Sequence, residues 1–156
     1  MKAVIRNATI VTMDSRHTIY GNASLAIVGN RIAAIGEGEV LSAASAAQGW
    51  DEIDGSDKMV MPGLANLHTH FSMTLARGMF EDVSPPNHAP FIGGFAPYPQ
   101  PKLTSAQNAT MCKLAAIEAI RSGTTAVLED GLDIASYAPD MVASGLRMVL
   151  AERAWD

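Results

Sequence analysis

The sequence changes its grammar at Pro62-Gly63, and that change constrains the fold more than any other feature. From there on, strand-like runs alternate with helical stretches. The mostly apolar run Leu64-Ala65-Asn66-Leu67 ends at His68 and reads as a buried strand. A short helical stretch is expected near Met73 to Met79. The clearest helix opens at Thr104, where Thr104-x-x-Gln107 is a capping-box pattern and Gly123 is placed to end it. Cys112, Ala116, Ala119 and Ile120 would share its buried face. Thr124 to Leu128 follows as a β-branched strand leading into Glu129-Asp130-Gly131. A second helix is predicted over Ala135 to Ser144, entered awkwardly through Pro139 and stopped by Gly145, and Leu146 to Leu150 is a further strand. Consecutive parallel strands need a long crossover, usually a helix, so the order β-loop-α-β-α-β predicts an α/β fold with a parallel sheet.

Residues 1–61 carry no such alternation. Val4-Ile5 and Thr9-Ile10-Val11 lie around the polar pair Arg6-Asn7, and SLAIVGNRIAAIGEG places two apolar runs either side of Gly29-Asn30, a hairpin signal. After an Ala/Ser-rich stretch from Leu41 to Gln48, Asp51 to Asp54 and Lys58 to Met61 flank the turn Gly55-Ser56-Asp57. The expectation is an all-β module of about five short strands. The predicted domains are therefore 1–61, all β, and 62–156, β/α. Six of the eight prolines fall between Asp82 and Lys102, which excludes regular helix or central strand there. Phe91, Phe95 and Tyr98 in that stretch could line a substrate pocket, make a subunit contact or simply pack the loop, and His88 is a minor candidate as a further ligand.

Composition removes several function classes. The 11 Lys and Arg are scattered and the net charge is −5, so no basic stripe for nucleic acid exists. No apolar run approaches the roughly 20 residues of a membrane helix. The N-terminal run MKAVIRNATIVTM is broken by Arg6 and Asn7 and does not read as a signal peptide. The single cysteine, Cys112, fits a reducing compartment, so a cytoplasmic location is expected, with Cys112 as a small core residue.

The chemistry concentrates in Pro62-Gly63-Leu64-Ala65-Asn66-Leu67-His68-Thr69-His70. Strand side chains alternate, so histidines at i and i+2 point to the same side and can reach one cation. Zinc and similar ions accept neutral imidazole nitrogen at roughly 2.0–2.1 Å. Two unrelated surface histidines are the plainer alternative. Arg77 reads as an ion-pair or helix-end residue, with contact to an anionic group as the alternative.

PGLANLHTHFSMTLARG, the preceding β module and EAIRSGTTAVLED together resemble the N-terminal third of a metal-dependent amidohydrolase, in the cytosine, guanine and adenosine-type deaminase and triazine hydrolase branch. The resemblance implies a partial (β/α)8 TIM barrel, first strands only, preceded by half of a composite β-sandwich built from both chain termini. It implies that His68 and His70 are the two first-strand metal ligands and that Glu118 to Asp130 is the first crossover helix and second strand. It carries no catalytic acid or base to this chain. A whole barrel takes roughly 250 residues, so the chain is expected to be a portion of a longer enzyme. That enzyme would hydrolyse a non-peptide C–N bond of a small-molecule nitrogen heterocycle, using a divalent metal, zinc first and iron second. No membrane or nucleic-acid partner is implied, and a homo-oligomer is expected for the full-length enzyme. The rival expectation is a non-catalytic binding or assembly module, or one half of a split enzyme.

Overall fold

A computed structural model describes residues 1–37, 49–77 and 102–153. The chain divides into two compact units, Met1–Pro62 and Gly63–Asp156.

The first unit is one five-stranded sheet. Its strands are β1 (Lys2–Val11), β2 (Ile19–Val28), β3 (Arg31–Glu37), β4 (Asp51–Asp54) and β5 (Met59–Val60). The order is β3-β2-β1-β4, with β5 also on β1. β2 and β3 form the antiparallel hairpin expected around Gly29-Asn30, pairing Val28 with Arg31. β4 and β5 both run parallel to β1, so the turn between them joins two pieces of one edge. Arg6-Asn7 does not break β1. The register slips between Ile5 and Ala8, and Asn7 takes φ 59°, so the polar pair is absorbed as a bulge in a ten-residue strand. One face of the sheet buries Ala8, Ile10, Ala23 and Leu25, with Ile5, Ile27, Ile35 and Val60 packed around them.

The second unit contains β6 (Leu64–Thr69), a 3-10 helix (Phe71–Ala76), α1 (Ser105–Arg121), β7 (Thr124–Gly131), a 3-10 turn (Ile134–Ser136), α2 (Ala138–Ala143) and β8 (Arg147–Glu152). The strands form a parallel sheet, β6-β7-β8. This is the predicted alternation. The capping box at Thr104 is complete: its side chain accepts from the Gln107 N–H while the Gln107 side chain accepts from the Thr104 N–H. Beyond α1, Gly123 adopts φ +86°, a conformation that ends a helix without a Cβ penalty.

The core of this unit gathers Phe71, Ala109, Cys112, Ala115, Ala116, Val127, Ile134, Tyr137, Met141 and Leu146. Three expectations are corrected. Ile120 is 45% exposed and is not on the buried face of α1, which is set by Ala109, Cys112, Ala115 and Ala116. The apolar run of β6 is not buried: Leu64 and Leu67 are 53% and 76% exposed, because β6 is an end strand of this sheet and the helices cover one face. Pro139 is not awkward, since α2 begins at Ala138 and places it in the first turn, where its missing N–H costs nothing. Arg77 pairs with Glu118 at 2.7 Å, the ion-pair reading of that residue. His88, Phe91, Phe95 and Tyr98 lie outside the described residues, as does Leu41 to Gln48. Among the described residues no helix is long and apolar enough to cross a membrane.

Candidate metal centre

The two histidines sit at the carboxyl end of β6, where the ladder to β7 is irregular. Asn66 opposes Val127 and Thr69 opposes Glu129, so β6 has one more residue than β7 over this interval. Such a bulge re-aims side chains at a strand end. The Asn66 side-chain oxygen accepts from the His68 N–H at 3.2 Å, satisfying a backbone donor at the slip.

Thr69 is buried between exposed His68 and half-buried His70. The two imidazoles meet edge to face, their centroids 4.8 Å apart and their Nε2 atoms 2.9 Å apart. His70 Nδ1 lies 2.6 Å from the carbonyl oxygen of Asp130. A carbonyl only accepts, so Nδ1 carries the proton and the neutral ring keeps its lone pair on Nε2.

Arg153, immediately after β8, makes a two-pronged contact with Asp130, Nε to Oδ1 at 2.7 Å and Nη2 to Oδ2 at 2.8 Å. The same Nη2 lies 3.3 Å from His70 Nδ1 and 3.4 Å from its Nε2. Hydrogen bonding from the guanidinium holds the Asp130 carboxyl below its ordinary value, and Asp130 in turn raises that of Arg153.

Behind the histidines, on the core side of β7, Glu129 is completely buried. Its Oε2 lies 2.7 Å from the Thr69 hydroxyl, which also reaches the Leu128 carbonyl at 2.9 Å. Both carboxylate oxygens accept from the Phe71 N–H, at 2.9 and 3.0 Å, and the Tyr137 hydroxyl donates to Oε1 at 3.1 Å. Gly131 makes the last contact possible, since a Cβ there would lie 2.2 Å from the Tyr137 oxygen. Burial first, and then the Glu129 charge, raise the Tyr137 phenol well above its usual range. The same two causes push the Cys112 thiol up to about 12.

The donor chemistry fits a divalent cation in part. Two ligands each roughly 2.0–2.1 Å from one ion lie within about 4 Å of each other, and the Nε2 pair meets that limit. Among the described residues no group of three His, Cys, Asp or Glu could hold a metal. Asn66, Glu129, Tyr137 and Arg153 were not identified as site residues from sequence. A signal for Glu129 existed: it shares strand phase with buried Val127, which puts a carboxylate on the core face.

A parallel sheet with helical crossovers and a histidine pair at a strand's carboxyl end define a β/α protein, a class whose active sites lie at that end of the sheet. The chain belongs to the amidohydrolase family, whose profile matches residues 59–152. It is 35% identical to a 5'-deoxyadenosine deaminase of Methanosarcina barkeri over 94% of this chain and 32% of that protein. It is 33% identical to a 5-methylthioadenosine/S-adenosylhomocysteine deaminase of Halothermothrix orenii over 97% of this chain and 35% of that protein. Its fold is similar to that of atrazine chlorohydrolase from Arthrobacter aurescens TC1 complexed with zinc, with TM-score 0.76 and 22% identity over 96% of this chain and 35% of that one. The chain thus spans about a third of the length of the curated relatives it matches.

Proposed function

We propose that this chain forms the N-terminal part of a metal-dependent hydrolase that deaminates a small-molecule nitrogen heterocycle, an adenosine-type nucleoside being the leading class. In this reading β6, β7 and β8 are the first strands of a (β/α)8 barrel, residues 62–156 are its first β/α units, and residues 1–61 are half of a composite β-sandwich. The substrate class rests on deaminases that are 33% and 35% identical to this chain over the third of their own length that it spans.

The observation that carries the reading is the 2.9 Å approach of the two Nε2 atoms, with His70 Nδ1 anchored on the Asp130 carbonyl. His68 and His70 would hold the cation, zinc first and iron second. When bound, such an ion lowers the pKa of a coordinated water toward about 7 and so supplies a nucleophile at neutral pH. The chain's own contribution is orientation. Asp130 fixes the His70 tautomer, strand alternation puts both rings on one side, and the buried contacts of Thr69 and Phe71 hold the backbone on either side of His70. Neither histidine acts as acid or base, and none of the described residues is assigned that role.

The test uses the whole protein. Metal content and ammonia release from adenosine, 5'-deoxyadenosine and 5'-methylthioadenosine are measured for wild type, His68→Ala and His70→Ala. Each substitution is expected to remove most bound metal and turnover while circular dichroism stays unchanged. Full metal content and full turnover in both variants would refute the assignment.

A further inference from the structure

We propose that Glu129 is a positioning residue for the histidine pair, acting through Thr69 and Phe71 rather than by touching the cation. The proposal rests on the reading of His68 and His70 as metal ligands.

A carboxylate with no solvent contact is costly to bury, and its hydrogen-bond partners here are neutral donors. An apolar side chain at this core position would avoid that cost. What the carboxylate secures is specific. Its two gripping points, the Thr69 hydroxyl and the Phe71 N–H, are the residues directly before and after His70. The next residue of β7 holds the His70 ring itself, through the Asp130 carbonyl. Two successive residues of β7 therefore clamp three successive residues of the neighbouring strand end, one from the core side and one through the ring. The clamp falls where the β6–β7 ladder has slipped, so regular pairing cannot supply the same restraint. Tyr137 steadies the carboxylate from behind, in space that Gly131 leaves open. The indirect partners of metal ligands fix ring orientation, and their loss typically weakens metal binding 10–100-fold.

The experiment compares Glu129→Gln and Thr69→Val in the whole protein, with His70→Ala as reference and Cys112→Ala as a core control. Zinc dissociation constants come from chelator competition, and cobalt(II)-substituted protein reports ligand geometry through its visible absorption. Glu129→Gln is expected to raise the zinc Kd by about 10–100-fold and shift the cobalt bands, and Thr69→Val to move both in the same direction by less. Cys112→Ala should change neither. If Glu129→Gln fails to fold, Thr69→Val carries the comparison alone. A zinc Kd and cobalt spectrum like wild type in every folded variant of this pair, beside a His70→Ala that loses metal, would overturn the role of Glu129 only. A His70→Ala protein that binds zinc like wild type would overturn the metal reading beneath it.

Discussion

Replacing Gly131 with alanine tests the buried Glu129 cluster at its tightest point. The added Cβ would meet the Tyr137 hydroxyl oxygen at 2.2 Å and Glu129 Oε1 at 3.3 Å. Tyr137 is itself fully buried, so its ring cannot swing into solvent and must shift within a packed core. Forcing extra volume into such a core costs about 1–3 kcal/mol. The displaced hydroxyl also gives up its hydrogen bond to a carboxylate, a further loss of about 1.5–3 kcal/mol. The sum for Gly131→Ala is about 2.5–6 kcal/mol. Tyr137→Phe removes the hydrogen bond without the clash and should cost only about 1.5–3 kcal/mol. The double variant is the decisive member. With the hydroxyl gone, the new Cβ faces Glu129 Oε1 at 3.3 Å, which must give by a few tenths of an ångström, and the ring atom Cζ at 3.5 Å, an ordinary contact. Gly131→Ala/Tyr137→Phe should therefore cost about as much as Tyr137→Phe alone, far from the sum of the singles. Denaturant unfolding of the four proteins, with matched m-values, measures this. Additive single costs, or a Gly131→Ala penalty below about 1 kcal/mol, would refute the geometry.

Thr104→Ala should lower stability by about 1 kcal/mol through loss of the capping box, read as a shift in the unfolding midpoint with unchanged m-value. Asp14 accepts the N–H groups of Arg16 and Thr18 and the Thr18 hydroxyl. The Thr18 backbone bond leads in pulling its pKa below the usual 3.8. A depressed folded value means this stabilisation is present above pH 3.8 and is lost as pH falls through the folded value. A carboxyl titration by NMR should find Asp14 below its ordinary value, and Thr18→Val should move it upward. Cys112, buried with its thiol pushed up to about 12, should resist aromatic disulfide reagents at pH 8 and react fully once the protein is unfolded. Rapid labelling of the native protein would contradict its burial.

Features decided by neighbours in the chain were legible in the sequence. The capping box at Thr104, the stop at Gly123 and the hairpin at Gly29-Asn30 each depend on a few adjacent residues, and each is found where those residues place it. The alternation after Pro62 was readable for the same reason. Burial was less legible, because it depends on which face the rest of the chain covers. Leu67 and Ile120 are apolar in sequence and open in the structure, whereas Glu129 is charged in sequence and closed. The histidine pair stood out by spacing, but the bulge that accompanies it is a property of two paired strands and leaves no mark on either alone. Arg153 escaped notice because its partners, Asp130 and His70, are brought to it only by the parallel pairing of β6, β7 and β8.

The edge of β1 has a kinetic consequence. β1 zips to β2 across a short connection, but the strands that complete its other side begin only at Asp51, pairing with Ala3. Contacts between residues so distant in sequence form late, because the loop between them must close before they yield anything. A nascent chain therefore displays β1 as a bare hydrogen-bonding rail until β4 and β5 have emerged, the interval in which another chain can take their place. β4 adds little side-chain burial of its own, all four of its residues being exposed, so its attachment rests on main-chain pairing. Pulse-labelled amide exchange during refolding should protect β1 and β2 before β4, and simultaneous protection would show that the rail is never bare.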